Sequence, residues 1–234
     1  MAQDGFLKKQ KEYPRVRTAY DLKWETLKND LSGLNIDTSS LRVYIRVFKH
    51  EKELELWISS ASREDFILFK KYSICRLSGH AGPKRREGDL QVPEGFYHIS
   101  AFNPWSNFHL SLCINYPNAS DLKFTDSEHP GGNICIHGNC VTIGCVPMTD
   151  DKIREIYLLC IEARAEGQGK IPVTIFPAHP GTDTFIQLSS DTVYSKEARE
   201  LWTELQLSDK LFIENKKLPR VQFLSNGRHR LTMN

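Results

Sequence analysis

Between residues 18 and 31 the apolar side chains Tyr20, Trp24, Leu27 and Leu31 recur three and four positions apart, which predicts a helix with one buried face. Ser32-Gly33 ends it. The period then drops to two. Leu41 to Val47 alternates as a half-buried strand does, and the polar patch His50-Glu51-Lys52 turns it into a second strand, Leu54 to Ile58. Together they make a hairpin. Short strands are expected again at Phe66–Tyr72, Phe96–Ala101 and His109–Ile114, separated by turns rich in Gly, Pro and Asn, a spacing that suggests a β-sandwich or barrel.

Asn133 to His137 reads as a strand that carries its histidine to a sheet end. Alternation puts Cys135 and His137 on one face, Ile134 and Ile136 on the other. Thr149 is suited to cap a following helix, whose opening Asp150 and Asp151 complement the positive end of its dipole. Ile153, Ile156, Tyr157, Cys160 and Ile161 form its buried stripe, and Gly167 closes it. Ile171–Phe176 is a returning strand, with Pro172 at an edge or in first position because it lacks a donor. Beyond Pro180 a helix over Ser195–Leu205 packs through Ala198, Leu201, Trp202 and Leu205, and Leu218–Leu231 adds a strand. The expected fold class is α+β, mainly β: a sandwich or barrel core with a helix after Cys145, an N-terminal helix, and a C-terminal α/β extension.

Composition narrows this little. The 234 residues are 40% hydrophobic and 26% charged, as in ordinary globular proteins, and the net charge of +2 supplies no field to recruit nucleic acid or a membrane surface. No apolar run reaches the ~18 residues of a spanning helix, and Met1-Ala2-Gln3-Asp4-Gly5 lacks the apolar core of a signal peptide. Three basic clusters stand out. Lys8-Lys9-Gln10-Lys11 and Lys216-Lys217 read as solvated surface, whereas Lys84-Arg85-Arg86 follows a Gly-Pro turn and is a candidate contact for carboxylates. No phosphate loop, dinucleotide fingerprint, HExxH or Gly-x-Ser-x-Gly is present, so no cofactor is expected.

The chemistry concentrates in His137-Gly138-Asn139-Cys140-Val141-Thr142-Ile143-Gly144-Cys145. A cysteine attacks carbonyls as its thiolate and needs a nearby base or cation to lower its pKa. Gly144 lets the backbone turn sharply before Cys145, so the thiol can project and amide N–H groups can face a developing oxyanion. This arrangement suggests acyl transfer through a thioester.

His137-Gly138 followed by Thr142-Ile143-Gly144-Cys145, with Val92-Pro93-Glu94-Gly95-Phe96-Tyr97 upstream, resembles the L,D-transpeptidase (YkuD-type) catalytic domain of bacterial cell-wall enzymes. The short spacing, Gly82-Pro83-Lys84, Glu87-Gly88-Asp89 and Asn115-Tyr116-Pro117-Asn118 resemble its YafK-like branch. The resemblance implies a YkuD-like core and a division into an N-terminal helical segment (1–40), a catalytic domain (41–178) and a C-terminal extension (179–234). It also implies Cys145 as nucleophile acting on peptidoglycan stem peptides, and His137 as general base, oriented by the carbonyl of Gly138 or Asn139. Ile143, Gly144 and Cys145 are the expected oxyanion donors. Lys84, Arg85, His109, Asn115, Tyr116, Asn139 and Thr142 are candidate substrate contacts, Thr142 also bracing the turn. Either an amine or water resolves the thioester, and a wall-attached lipoprotein is a conceivable partner. A periplasmic or envelope location follows from the resemblance if a leader has been removed, since the chain as given carries none. Two departures bear on specificity: only four residues separate His137 from Thr142, and Pro147 stands where the wider family often has an arginine that anchors carboxylates.

Of the six cysteines, five remain if Cys145 stays reduced, so at most two disulfides form and one more thiol is free. Cys113 and Cys160 read as small core hydrophobes; Cys140 reads as a structural thiol, with a disulfide or a redox guard as alternatives. Two other function classes compete: a structural zinc site built from Cys135, His137, Cys140 and Cys145, and a wall-binding module without catalysis.

Overall fold

The computed structural model describes residues 2–233. Two helices come first, α1 (Ala2–Lys11) and α2 (Pro14–Gly33). Pro14 sits in the first turn of α2, where its missing N–H has no intrahelical role and its fixed φ already suits a helix, so α2 begins before the expected residue 18. A meander follows: β1 (Arg42–Phe48), β2 (Glu53–Ser60) and β3 (Arg63–Ser73), all antiparallel. Then come β4 (Gly95–Asn103), β5 (Ser111–Ile114), the single turn α3 (Asp121–Phe124), β6 (Cys135–His137) and β7 (Val146–Pro147). After these, α4 (Asp150–Ala165) leads into β8 (Pro172–Phe176). The chain ends with α5 (Asp183–Ser190), α6 (Lys196–Asn215) and the hairpin β9 (Arg220–Phe223) and β10 (His229–Thr232).

Eight strands make one curled sheet in the order β3-β2-β1-β8-β4-β5-β6-β7. Pairing is antiparallel except for β1 with β8 and β6 with β7. Pro172 opens β8, where a missing donor is tolerated although the strand lies between β1 and β4. Thr149 caps α4 by accepting the Lys152 N–H, as its position promised.

The sheet is covered on both sides. Val43, Ile45 and Val47 of β1 join Leu54, Leu56 and Ile58 of β2 in a core closed by α2 and α4, whose Ile153, Ile156, Tyr157 and Cys160 are fully buried. The alternate positions, Tyr44, Arg46 and Phe48, face α5 and α6. The half-buried strand expected from alternation is therefore buried on both faces, because α6 lays Trp202, Leu205 and Phe212 against the polar-looking side. Arg46 is accommodated there by Glu55 at 3.2 Å and by Asp209. A buried knot ties α6 to the start of β4: Glu94 accepts from the Trp202 indole at 2.6 Å, from Lys49 at 2.8 Å and from the Gly82 N–H at 2.9 Å.

The cysteines correct the sequence reading. Cys113 is not a core hydrophobe but bonds to Cys135, directly opposite it on β6. Cys140 bonds to Cys75, across a sequence separation of 65. In a chain-entropy account that closure stabilises the fold by about 4 kcal/mol. Cys160 is buried as expected, and its burial holds the thiol far above its ordinary pKa.

Candidate active site

His137 ends β6, and Cys145 immediately precedes β7. The two strands pair in parallel, Ile136 beside Val146 and His137 beside Pro147, so the register brings the histidine strand and the cysteine together. The thiol of Cys145 lies 3.4 Å from the Cys135 N–H, which donates to it, and 3.6 Å from the Asn133 carbonyl, to which it donates. Burial pushes this thiol above its ordinary pKa; the Cys135 N–H and the charge of Lys84 act in the opposite direction.

The imidazole of His137 is almost fully buried. Its Nδ1–H donates to the Gly138 carbonyl at 2.5 Å, which assigns the proton to Nδ1 and leaves Nε2 of the neutral ring as an acceptor. Burial also lowers the histidine's pKa, against a smaller opposing effect of that hydrogen bond. A ring nitrogen kept neutral and pointed away from its carbonyl partner is equipped to take a proton from a thiol. Gly138 has no room for a side chain: a Cβ there would meet Asp150 Oδ1 at 2.6 Å and the Phe108 carbonyl at 2.9 Å.

The turn before Cys145 is held by Thr142, whose hydroxyl donates to the Cys145 carbonyl at 2.8 Å and accepts the Gly144 N–H at 3.1 Å. That contact engages one of the three expected oxyanion donors. The amides of Ile143 and Cys145 donate to no protein acceptor among the described residues. Gly144 sits at φ +134°, a conformation a side chain would strain, and a Cβ there would meet the Gln91 carbonyl at 3.0 Å.

The candidate substrate contacts separate. Lys84 is buried and tied to Asp89 at 2.6 Å and to the Arg86 carbonyl at 2.8 Å, so its ammonium acts on Cys145 as a fixed charge rather than as a mobile arm. Arg85 lies over the ring of Phe124, 5.4 Å from its centroid. Tyr116 is buried with its hydroxyl on the Pro130 carbonyl at 3.0 Å. Asn115 accepts the His98 N–H at 2.7 Å and borders a cavity of about 510 Å³ between the sheet and the C-terminal hairpin, whose lining includes neither Cys145 nor His137. His109 adopts φ +70° outside the strand expected for it, near Asp150 at 4.0 Å, and its Nε2 is buried without a partner. Asn139 is exposed, its N–H held by Asp150 Oδ1 at 2.9 Å. Three contributors escaped the sequence reading. Asn133 offers a carbonyl and Cys135 an amide, neither visible as residue type, while Phe108 packs its tilted ring against His137 from a loop 29 positions away.

Cys135 and Cys140 are both consumed in disulfides, so the four-ligand zinc site weighed from sequence is not available.

Residues 36–175 match the L,D-transpeptidase catalytic domain family, YkuD. The chain belongs to this family. It is 34% identical over 189 residues to YafK of Escherichia coli strain K12, covering 80% of this chain and 72% of that protein, with the same figures for YafK of strain O157:H7. Among solved structures, the helical cell shape determining protein Pgp2 from Campylobacter jejuni aligns with a TM-score of 0.46 at 18% identity, over 85% of this chain and 80% of that one. L,D-transpeptidases are peptidoglycan enzymes of the cell envelope. Among the described residues no helix is long and apolar enough to cross a membrane.

Proposed function

We propose that this L,D-transpeptidase-family protein catalyses acyl transfer on peptidoglycan stem peptides, with Cys145 as nucleophile. Its thiol gives its proton to Nε2 of His137 and its sulfur attacks an amide carbonyl. The oxyanion is met by the free amides of Ile143 and Cys145, the amine leaves with the proton from His137, and a thioester remains. The observation that carries this reading is the pinning of His137 Nδ1 on the Gly138 carbonyl, which supplies the correct tautomer without a third side chain. Thr142, hydrogen-bonded to the Cys145 carbonyl, is the better placed of the candidate contacts to shape the acceptor side, and exposed Asn139 is the other.

Hydrolysis is the second reading, including release of a wall-attached protein. It is favoured by the short loop, which leaves Val141 46% and Ile143 80% exposed at the rim rather than closed over the thioester. A location in the periplasm or elsewhere in the envelope accompanies either reading.

Mass spectrometry of isolated peptidoglycan after incubation with the protein, beside Cys145→Ala, tests both. Cys145-dependent cross-linked or amine-exchanged stem peptides support transpeptidation. Cys145-dependent free peptide, amino acid or released protein supports hydrolysis. Identical products with both proteins, and no acyl adduct on Cys145, would leave a wall-binding module.

A further inference from the structure

Cys113, Cys135 and Cys145 stand in one rank across three neighbouring strands. Cys113 of β5 is directly opposite Cys135 of β6. The parallel register of β6 and β7, carried back one residue from Ile136 and Val146, sets Cys145 beside Cys135 on its other flank. The contacts agree: the Cys135 N–H reaches Cys145 Sγ at 3.4 Å, and the sulfurs of Cys135 and Cys145 lie 3.5 and 3.6 Å from the same Asn133 oxygen. Paired strands lie about 4.8 Å apart, inside the Cα separation of about 4.4–6.8 Å that a disulfide spans. Cys113 and Cys135 are bonded; Cys145 is free.

We propose that Cys145 exchanges into this disulfide, making Cys135 the covalent partner of the catalytic thiol. The Cys145 thiolate attacks Cys135 Sγ and the Cys135–Cys145 bond forms. The Cys113–Cys135 bond breaks, and Cys113 leaves as a thiolate that takes up the proton Cys145 had given to His137. No electrons enter or leave, so no outside oxidant is needed. Displacement at sulfur passes through a transition state in which attacking, central and departing sulfurs align, and the residue before β7, β6 and β5 present the sulfurs in that order. Cys145 is then capped in a reversible form, shielded from the irreversible sulfinic and sulfonic acids, and back-attack by Cys113 restores it. The exchange stands on strand register and these sulfur contacts; the proton's passage through His137 and the effect as an off-state rest on the function proposed above.

Cys113→Ser, purified without reductant from an oxidising compartment, tests the idea, because serine leaves Cys135 unpaired beside Cys145. Acid-quenched, alkylated digests are expected to contain a Cys135–Cys145 peptide, and iodoacetamide labelling of Cys145 should fall at least about tenfold and recover with dithiothreitol. Wild-type protein held in mildly alkaline buffer should yield the same linked peptide together with alkylated Cys113. Separately alkylated Cys135 and Cys145 in the variant, with Cys113–Cys135 the sole linkage of that pair in the wild type, would overturn the proposal. The mapping uses no substrate. A protein that exchanges yet never acts on peptidoglycan would sink the acyl-transfer reading and leave this one standing.

Discussion

The ring of Phe108 lies over the imidazole of His137, centroids 4.6 Å apart and planes inclined by 30°. This contact contributes to the burial that lowers the pKa of His137, and it connects a loop residue to the proposed proton transfer.

Phe108→Ala should therefore hydrate the imidazole and move its pKa up toward the ordinary histidine value. A base must be neutral to act, so the acid limb of the kcat/KM profile should shift to higher pH. The stability side has the same origin. A histidine with a lowered folded pKa contributes stability that is complete above its unfolded pKa and lost as pH falls through the folded value. Phe108→Ala should flatten that acid-side loss. Kinetics and urea melts between pH 5 and 8 check both, and an unmoved acid limb would separate Phe108 from the histidine.

Lys84→Met removes the buried charge that counteracts burial at Cys145. The midpoint of Cys145 alkylation by iodoacetamide should move to higher pH, with slower labelling at neutral pH. Asp89 loses its ammonium partner as well. Although burial raises its pKa, Lys84 and the N–H groups of Arg85, Arg86 and Gln91 together hold it below its ordinary value. Without Lys84 the fold should lose about 1–3 kcal/mol. The part contributed by Asp89, complete above its unfolded pKa and lost as pH falls through the folded one, should fade at a higher pH than in the wild type. Pulse alkylation and acid titration of the fold read the two effects.

Thr142→Val deletes the hydroxyl that spans the Gly144 N–H and the Cys145 carbonyl. The turn presenting the oxyanion donors loosens. We expect kcat/KM to drop by about 10–100-fold, mostly in kcat, for a stability cost of only about 1–2 kcal/mol. Thr142→Ser should recover most of the rate. A full rate in Thr142→Val with a loss in Thr142→Ser would point to the methyl group instead.

Trp202→Phe tests the clamp between α6 and the sheet. It leaves Glu94 Oε2 without its indole donor in a fully buried position, at a cost of about 1–3 kcal/mol. Trp202→Ala adds a cavity, for a total of about 3–5 kcal/mol. A urea midpoint unchanged in both variants would mean that α6 contributes nothing to the stability of the sheet.

Much of this molecule was legible in one dimension because the physics involved is short-ranged. The 3.6-residue period of Ile153, Ile156, Tyr157 and Cys160 follows from helix geometry, the Thr149 cap from a hydroxyl three residues from an orphan amide, and the β1–β2 hairpin from alternation around a polar turn. The candidate pair His137 and Cys145 fell within nine residues, with Gly144 announcing the turn between them. The remainder depended on neighbours that the chain order does not name. Pairing of β5, β6 and β7 decided that Cys113 bonds to Cys135 and that Cys145 lies beside it, since register is set by strands distant in sequence. The partner of Cys140 lay 65 positions away. Arg46 looked solvent-facing until α6 covered it, and Lys84 looked available for substrate until Asp89 held it. Local periodicity determined the elements and offered the reactive residues; long-range packing alone decided which faces are wet, which thiols are free and which charges can move.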